Sequence, residues 1–219
     1  VIALLTAPNL LLDRIQAKAP GHIGRLVTPR QYTSVSGTIE RGMSWAADCD
    51  GYSGLDTAAY IKMLASVSRN LEGLVFVVLP DKVADPKATL RLYGKWQEII
   101  REDLQMPAAF VLQDGVEQDE VPWDQTEAVF IGGTTPFKFS GIVRRIVDEA
   151  KERGKWVHMG RVSTPERAYY ARSIGCDSFD GSRFARWPNV YMDSLISILT
   201  DPKLADGGLL EGLKHDAPA

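Results

Sequence analysis

Nine residues, Gly73-Leu-Val-Phe-Val-Val-Leu-Pro-Asp81, run apolar from the second to the eighth and close on an acid. A strand with one wet face alternates apolar and polar side chains, whereas one without alternation is covered on both faces, as in a parallel sheet flanked by helices. Shorter strand candidates occur at 1–6, 24–28, 108–113, 127–133, 156–160 and 176–180. Residues 41–48 alternate instead, with Met43, Trp45 and Ala47 on one face and Ser44, Ala46 and Asp48 on the other, so Asp48 is expected to point inward.

Helical stretches separate these strands: 10–18, stopped by Ala19-Pro20-Gly21; 56–70, with Leu55, Ala58, Ile61, Leu64 and Ala65 as the expected buried side; 86–104, with Leu90, Tyr93, Gln97 and Ile100; 139–153, with Ile142, Val143, Ile146, Val147 and Ala150; and 191–199. Between the last two strands Thr164 is an N-cap, Pro165 suits the first helical position, Glu166 favours the first turn and Gly175 supplies a stop. About eight strands alternating with helices argue a parallel sheet, either a closed (β/α)8 barrel or an open doubly wound one. The acidic stretch 116–126, with Pro122 and Trp123, is expected to cover something. Residues 1–200 read as one domain and 201–219 as a polar, disordered tail.

At 219 residues the chain holds one sizeable core and lies near the lower end for a barrel. No apolar run approaches the length of a membrane span, and residues 1–5 lack the basic flank of a signal peptide, so a cytoplasmic location and no membrane partner are expected. The net charge of −3 gives no global field for nucleic acid, which would need a local basic face. Cys49 and Cys176 form no zinc motif, and His22, His158 and His215 suggest no cluster with Asp48 and Asp50, so neither metal nor cofactor is expected.

In a parallel α/β fold the residues just past the strand carboxyl ends line the active site. Asp48, Asp81, Gln113 with Asp114, Gly132 with Gly133, and Asp180 all fall there. Plainer roles compete. Asp81 before Lys82 is compatible with a helix cap or ion pair, the two glycines with a turn, and Asp177 rivals Asp180, although alternation puts Ser178 and Asp180 on one face and Asp177 on the other.

The ordered pieces Met159-Gly160, Thr164-Pro165-Glu166, Gly175-Cys-Asp-Ser-Phe-Asp180 and Arg183 resemble a stretch of tRNA-guanine transglycosylases. In that family it runs Met-Gly-x-Gly-Thr-Pro-Glu, through a helix, to Phe-Asp and an Arg-containing loop. The likeness covers about thirty residues and departs by one extra residue before Thr164. It implies a (β/α)8 TIM barrel with Asp180 as nucleophile. Asp48-Cys-Asp-Gly-Tyr52 is similar to the family's Asp-Ser-Gly-Gly-Tyr, implying Asp48 as general acid and base. Val78-Leu-Pro-Asp81 implies Asp81 as the group that bonds the guanine-like base. Residues 110–115 are similar to Gly-Ile-Gln-x-Gly, leaving Gln113 or Asp114 for the base oxygen, and Gly132-Gly133 resembles the pair whose backbone lies against the base.

The chemistry matches these residue types. A carboxylate attacks the sugar C1′, a covalent glycosyl-enzyme forms, and an incoming base displaces it, which requires a second acid in a different environment. One carboxylate accepts the adjacent N1–H and amine of a guanine-like ring, and Tyr52 or Met159 is expected to cover its face. Arg183 and Arg186, interleaved with Phe184 and Trp187, suit a phosphate backbone with a flipped base, with Lys138, Arg144, Arg145 and Arg161 as further positive charge.

The zinc subdomain of tRNA-modifying relatives has no counterpart here. The outline is more similar to compact phage and bacterial relatives that insert 7-deazaguanines into DNA, which implies exchange of guanine for a base such as preQ0 (7-cyano-7-deazaguanine), DNA over tRNA, and host cytoplasm if phage-encoded. A partner protein or homodimer is compatible with this. Competing expectations are a tRNA enzyme, a non-catalytic base-binding or nucleic-acid-binding subunit, and a barrel hydrolase or lyase acting on a free nucleoside or sugar.

Overall fold

The computed structural model describes residues 1–31 and 34–202. Eight parallel strands close into a barrel in chain order: β1 (Ile2–Leu5), β2 (Ile23–Val27), β3 (Trp45–Ala47), β4 (Leu74–Val78), β5 (Ala108–Leu112), β6 (Ala128–Ile131), β7 (Trp156–Met159) and β8 (Ser178–Asp180), with β8 pairing back onto β1. This is the (β/α)8 barrel, and the doubly wound alternative is excluded. Part of the expected tail, from residue 203 onward, lies outside the described residues.

The connecting helices are α1 (Asn9–Gln16), α2 (Ser36–Ile39), α3 (Thr57–Val67), α4 (Pro86–Gln97), α5 (Thr135–Lys138), α6 (Gly141–Glu152), α7 (Pro165–Ser173), α8 (Ser182–Arg186) and α9 (Pro188–Thr200). Side-chain caps start several of them: Asp56 accepts from Ala59 N–H, Asp85 from Ala88 N–H, Ser140 from Val143 N–H and Thr164 from Arg167 N–H. Asp85, not Asp81, therefore opens α4.

Two expectations need correction. In α3 the buried side is Tyr60, Met63, Leu64 and Val67, while Leu55 and Ile61 are exposed. The Tyr60 hydroxyl donates to the Val78 carbonyl at 2.7 Å, so a polar-tipped aromatic sets the helix phase against the apolar count. The stretch 86–104 is α4 continued by a π-helical turn at Glu98–Asp103; Thr89, Tyr93 and Ile100 are buried and Leu90 is exposed. The stretch 116–126 packs its two 3-10 turns beside α6, with Val116, Val121 and Trp123 buried, Gln118 bonded to Glu149 and Trp123 under Arg153.

Candidate active site

A cavity of about 630 Å³ opens at the carboxyl ends of the strands and continues into a narrow slot of about 70 Å³. Asp48, Tyr52, Gly133, Arg161 and Asp180 line both parts; Asp81, Gln113 and Gly132 line the slot. With Leu4 and Thr6 from β1 and Leu26 and Thr28 from β2, all eight strands thus place residues at or just past their ends around one space, as a barrel of this kind requires.

Asp180 ends β8 with its side chain 16% exposed. Alternation along β7 and β8 turns His158, Ser178 and Asp180 to the barrel interior. His158 is fully buried, with its ring centroid 4.7 Å from that of Phe130 and 5.0 Å from that of Phe76. Its Nε2 lies 3.0 Å from Asp180 Oδ2 and its Nδ1 2.8 Å from Ser178 Oγ, which also accepts from Trp156 Nε1 at 2.8 Å. Indole N–H only donates, so the Ser178 oxygen accepts there and its own proton is available to His158 Nδ1. That leaves the imidazole hydrogen on Nε2, pointing at Asp180. Burial holds the imidazole pKa down, against the pull of Asp180, which favours this neutral tautomer.

Arg161 supplies the second hold. Its backbone lies in the left-handed region at φ 55°, unusual for a residue with a side chain, and its N–H points at both Asp180 oxygens at 3.2 Å. Oδ2 therefore carries the His158 bond, and Oδ1 is the less encumbered oxygen. Asp177, the rival, is on the outer side, bonded to Lys151 and the Val157 N–H.

Asp48 follows β3 and accepts from the Asp50 N–H at 2.9 Å. Burial, then the charge of Asp180, pushes its carboxyl from 3.8 up to about 7. Two carboxyl groups in one cavity are thus held in different environments.

Asp81 follows β4, and burial raises its pKa too, opposed by its bond from Gln113 and by Arg161. Gln113 is 2% exposed; its Oε1 accepts from Ala84 N–H at 3.0 Å, which turns the amide so that Nε2 donates to Asp81 Oδ2 at 2.6 Å. Asp114 points elsewhere and accepts from the Thr134 N–H and hydroxyl, bracing the start of α5. Of the two candidates, Gln113 is the one that faces the slot.

The glycine pair does more than turn the chain. A Cβ on Gly132 would stand 2.8 Å from Val111 Cγ1 and 3.0 Å from Gln113 Nε2. Gly133 has φ 66°, and a Cβ there would meet Asp114 and Phe137. Tyr52 is 67% exposed at the mouth, with the Arg161 guanidinium 4.1 Å from its ring centroid.

Of the two residues expected over the ring, Tyr52 lines the cavity and Met159 is buried and lines neither part of it; one residue of alternation gives the interior to His158 instead. Arg183 and Arg186 also lie outside the lining, and Arg183 sits 5.9 Å from the Tyr191 ring centroid. Lys138 and Arg161, weighed only as general positive charge, line the cavity, and so does Arg167. His158 was legible only as one of three histidines; the signal that places it is its two-residue spacing from Trp156 and from Gly160.

Among the described residues no group of three or more His, Cys, Asp or Glu side chains is arranged to hold a metal ion, and no helix is long and apolar enough to cross a membrane. No protein-family model and no curated protein sequence matches the chain.

Proposed function

We propose that the chain is a base-exchanging transglycosylase that replaces guanine in a polynucleotide, DNA in preference to tRNA, by a 7-deazaguanine such as preQ0. The observation that carries this reading is the pairing of a held carboxylate, Asp180, with a second carboxyl, Asp48, raised to about 7, beside a slot ending in Asp81. Asp180 Oδ1 attacks C1′ while the C1′–N9 bond breaks and its electron pair leaves with the guanine. Asp48, protonated, gives its proton to the departing purine. The incoming base then loses its N9 proton to the Asp48 carboxylate, and N9 attacks C1′ and expels Asp180. Atoms and charge balance with no further reactant, and a pKa near the working pH suits a group that must both give and take a proton.

His158 and the Arg161 N–H hold the attacking group, and Asp81, oriented by Gln113, accepts from the N1–H and amine edge of the base. The preference for DNA follows the resemblance to zinc-free relatives. Base exchange measured in parallel on duplex DNA and on tRNA, with labelled guanine and labelled preQ0, tests the reading. Label is expected in DNA, and Asp180→Ala is expected to abolish incorporation while still binding free base. Incorporation by Asp180→Ala at the wild-type rate would overturn the nucleophile, and no incorporation into either polymer would overturn the reading for the isolated chain.

A further inference from the structure

We propose that the wide part of the cavity is a phosphate site formed by Lys138, Arg161 and Arg167, so that the substrate is engaged as a nucleotide unit with its base in the slot and its phosphate on these cations. This rests on the base-exchange reading for the identity of the neighbouring group, but the anion site stands on its own geometry.

Some cations elsewhere in the fold are matched to acids: Arg30 to Asp50 at 2.8 Å, Arg41 to Asp13 at 2.7 Å, Arg101 to Glu127 at 3.0 Å, and Lys151 to Asp177 at 2.6 Å. Among the described residues, none of the three cavity cations has a carboxylate at ion-pair distance. Lys138 Nζ donates to the Gly160 carbonyl, the Arg161 guanidinium donates to the Gly133 carbonyl and stacks on Tyr52, and Arg167 Nη1 reaches Ser163 Oγ at 3.3 Å. Their direct hydrogen-bond partners are neutral, and the charge that opposes Lys138 most is that of Asp180 in the same cavity.

The imbalance is sharpest at Lys138, which is only 5% exposed. Burying an ammonium without a counter-ion is costly, and its pKa falls to about 8, mainly through burial, with Arg161 and Arg167 adding repulsion and Asp180 opposing it. A protein of net charge −3 does not collect three such charges in one cavity as a by-product of being basic. An anion bound between them would offset the repulsion among the three.

Phosphate fits this wall. Lys138 has three donors and spends one on a carbonyl, while guanidinium donors match phosphate oxygens in pairs. Ser163 and Ser182 add hydroxyls and follow β7 and β8, the loops where barrels of this class frequently hold phosphate. Of the acids in the lining, Asp50 is engaged by Arg30, and Asp48 and Asp180 also line the slot. The proposal also relocates the polynucleotide contact, since Arg183 and Arg186 do not line the cavity.

The test is calorimetric titration of wild type, Arg167→Gln and Arg167→Lys with guanine, deoxyguanosine, dGMP and inorganic phosphate. Charge-assisted bonds of this kind predict dGMP binding about 10- to 100-fold more tightly than deoxyguanosine. Arg167→Gln is expected to erase most of that difference with guanine affinity unchanged, and Arg167→Lys to restore part of it. Phosphate bound by wild type and lost in Arg167→Gln, with guanine not bound at all, would support the anion site and overturn the base-exchange reading. Guanine bound, with dGMP no tighter than deoxyguanosine, would overturn the phosphate site and leave that reading standing. Loss of guanine and dGMP affinity in equal measure in Arg167→Gln would also overturn it.

Discussion

Replacing Asp48 by asparagine keeps the shape of the side chain and its bond from the Asp50 N–H, and removes a charge that the fold holds at a cost. The folded carboxyl titrates near 7 and the unfolded one near 3.8, a gap worth about 4 kcal/mol at 1.36 kcal/mol per pKa unit. Between these values the folded protein retains a proton that the unfolded chain has lost. Stability from this group is therefore complete below about pH 4, falls as pH rises, and is lost above about pH 7. Asparagine does not titrate, so the stability of Asp48→Asn minus that of wild type should grow by about 3 kcal/mol between pH 4.5 and 8. Urea unfolding of both proteins at several pH values measures this, and base exchange by the variant should fall at least 100-fold because no proton is delivered. A stability difference that stays flat across the range would refute the buried-acid assignment, and with it the argument that Asp48 is poised to give and take protons.

His158→Phe keeps the aromatic packing and removes the Nε2–H donor, and is expected to lower the rate of base exchange about 10- to 100-fold with little change in KM; single-turnover kinetics check this, and His158→Gln, which restores an N–H, should recover part of the loss. Asp81→Asn should weaken guanine binding by about 10-fold or more and relax base choice, because the amide presents a donor to the purine's own donors; competition among guanine, hypoxanthine and preQ0 reads it. Gly132→Ala places a methyl against Val111 and Gln113 and should cost about 1–3 kcal/mol in stability while displacing the Gln113–Asp81 bond, so melting and base titration should worsen together.

Much of the architecture was readable because parallel strands buried on both faces carry an unmistakable apolar run, and because caps such as Thr164-Pro165-Glu166 mark helix starts. Face assignment within a short strand was equally readable: Asp48 and Asp180 point inward as two-residue alternation requires. Helix faces were harder. Apolar spacing puts Ile61 on the buried side of α3, whereas the structure buries Tyr60, the ring whose hydroxyl finds a strand carbonyl. The role of His158 was hidden because its partners, Trp156, Ser178 and Asp180, are assembled by strand pairing and not by neighbourhood in sequence. Lys138 and Arg167 were opaque for a related reason. A cation's meaning depends on whether an acid lies opposite it, and that opposition exists only in three dimensions. The left-handed backbone of Arg161 carried no signal either, since glycine or asparagine is the residue usually found in that conformation.

β8 is three residues long and is held by β7 on one side and β1 on the other, with Asp180 in register with Leu4. The candidate nucleophile thus sits on the seam where the barrel's first and last strands meet. Closing that seam joins the most distant strands of the fold, a step that carries the largest loop-closure entropy. A barrel not yet closed would hold its helices and most of its strands yet lack a seated Asp180, so base exchange should emerge with the final closure and not with the rise of helical signal. Conversely, a local opening of the seam would silence the site while leaving most of the molecule protected, and hydrogen exchange at the Ile2 and Leu4 amides would register it first.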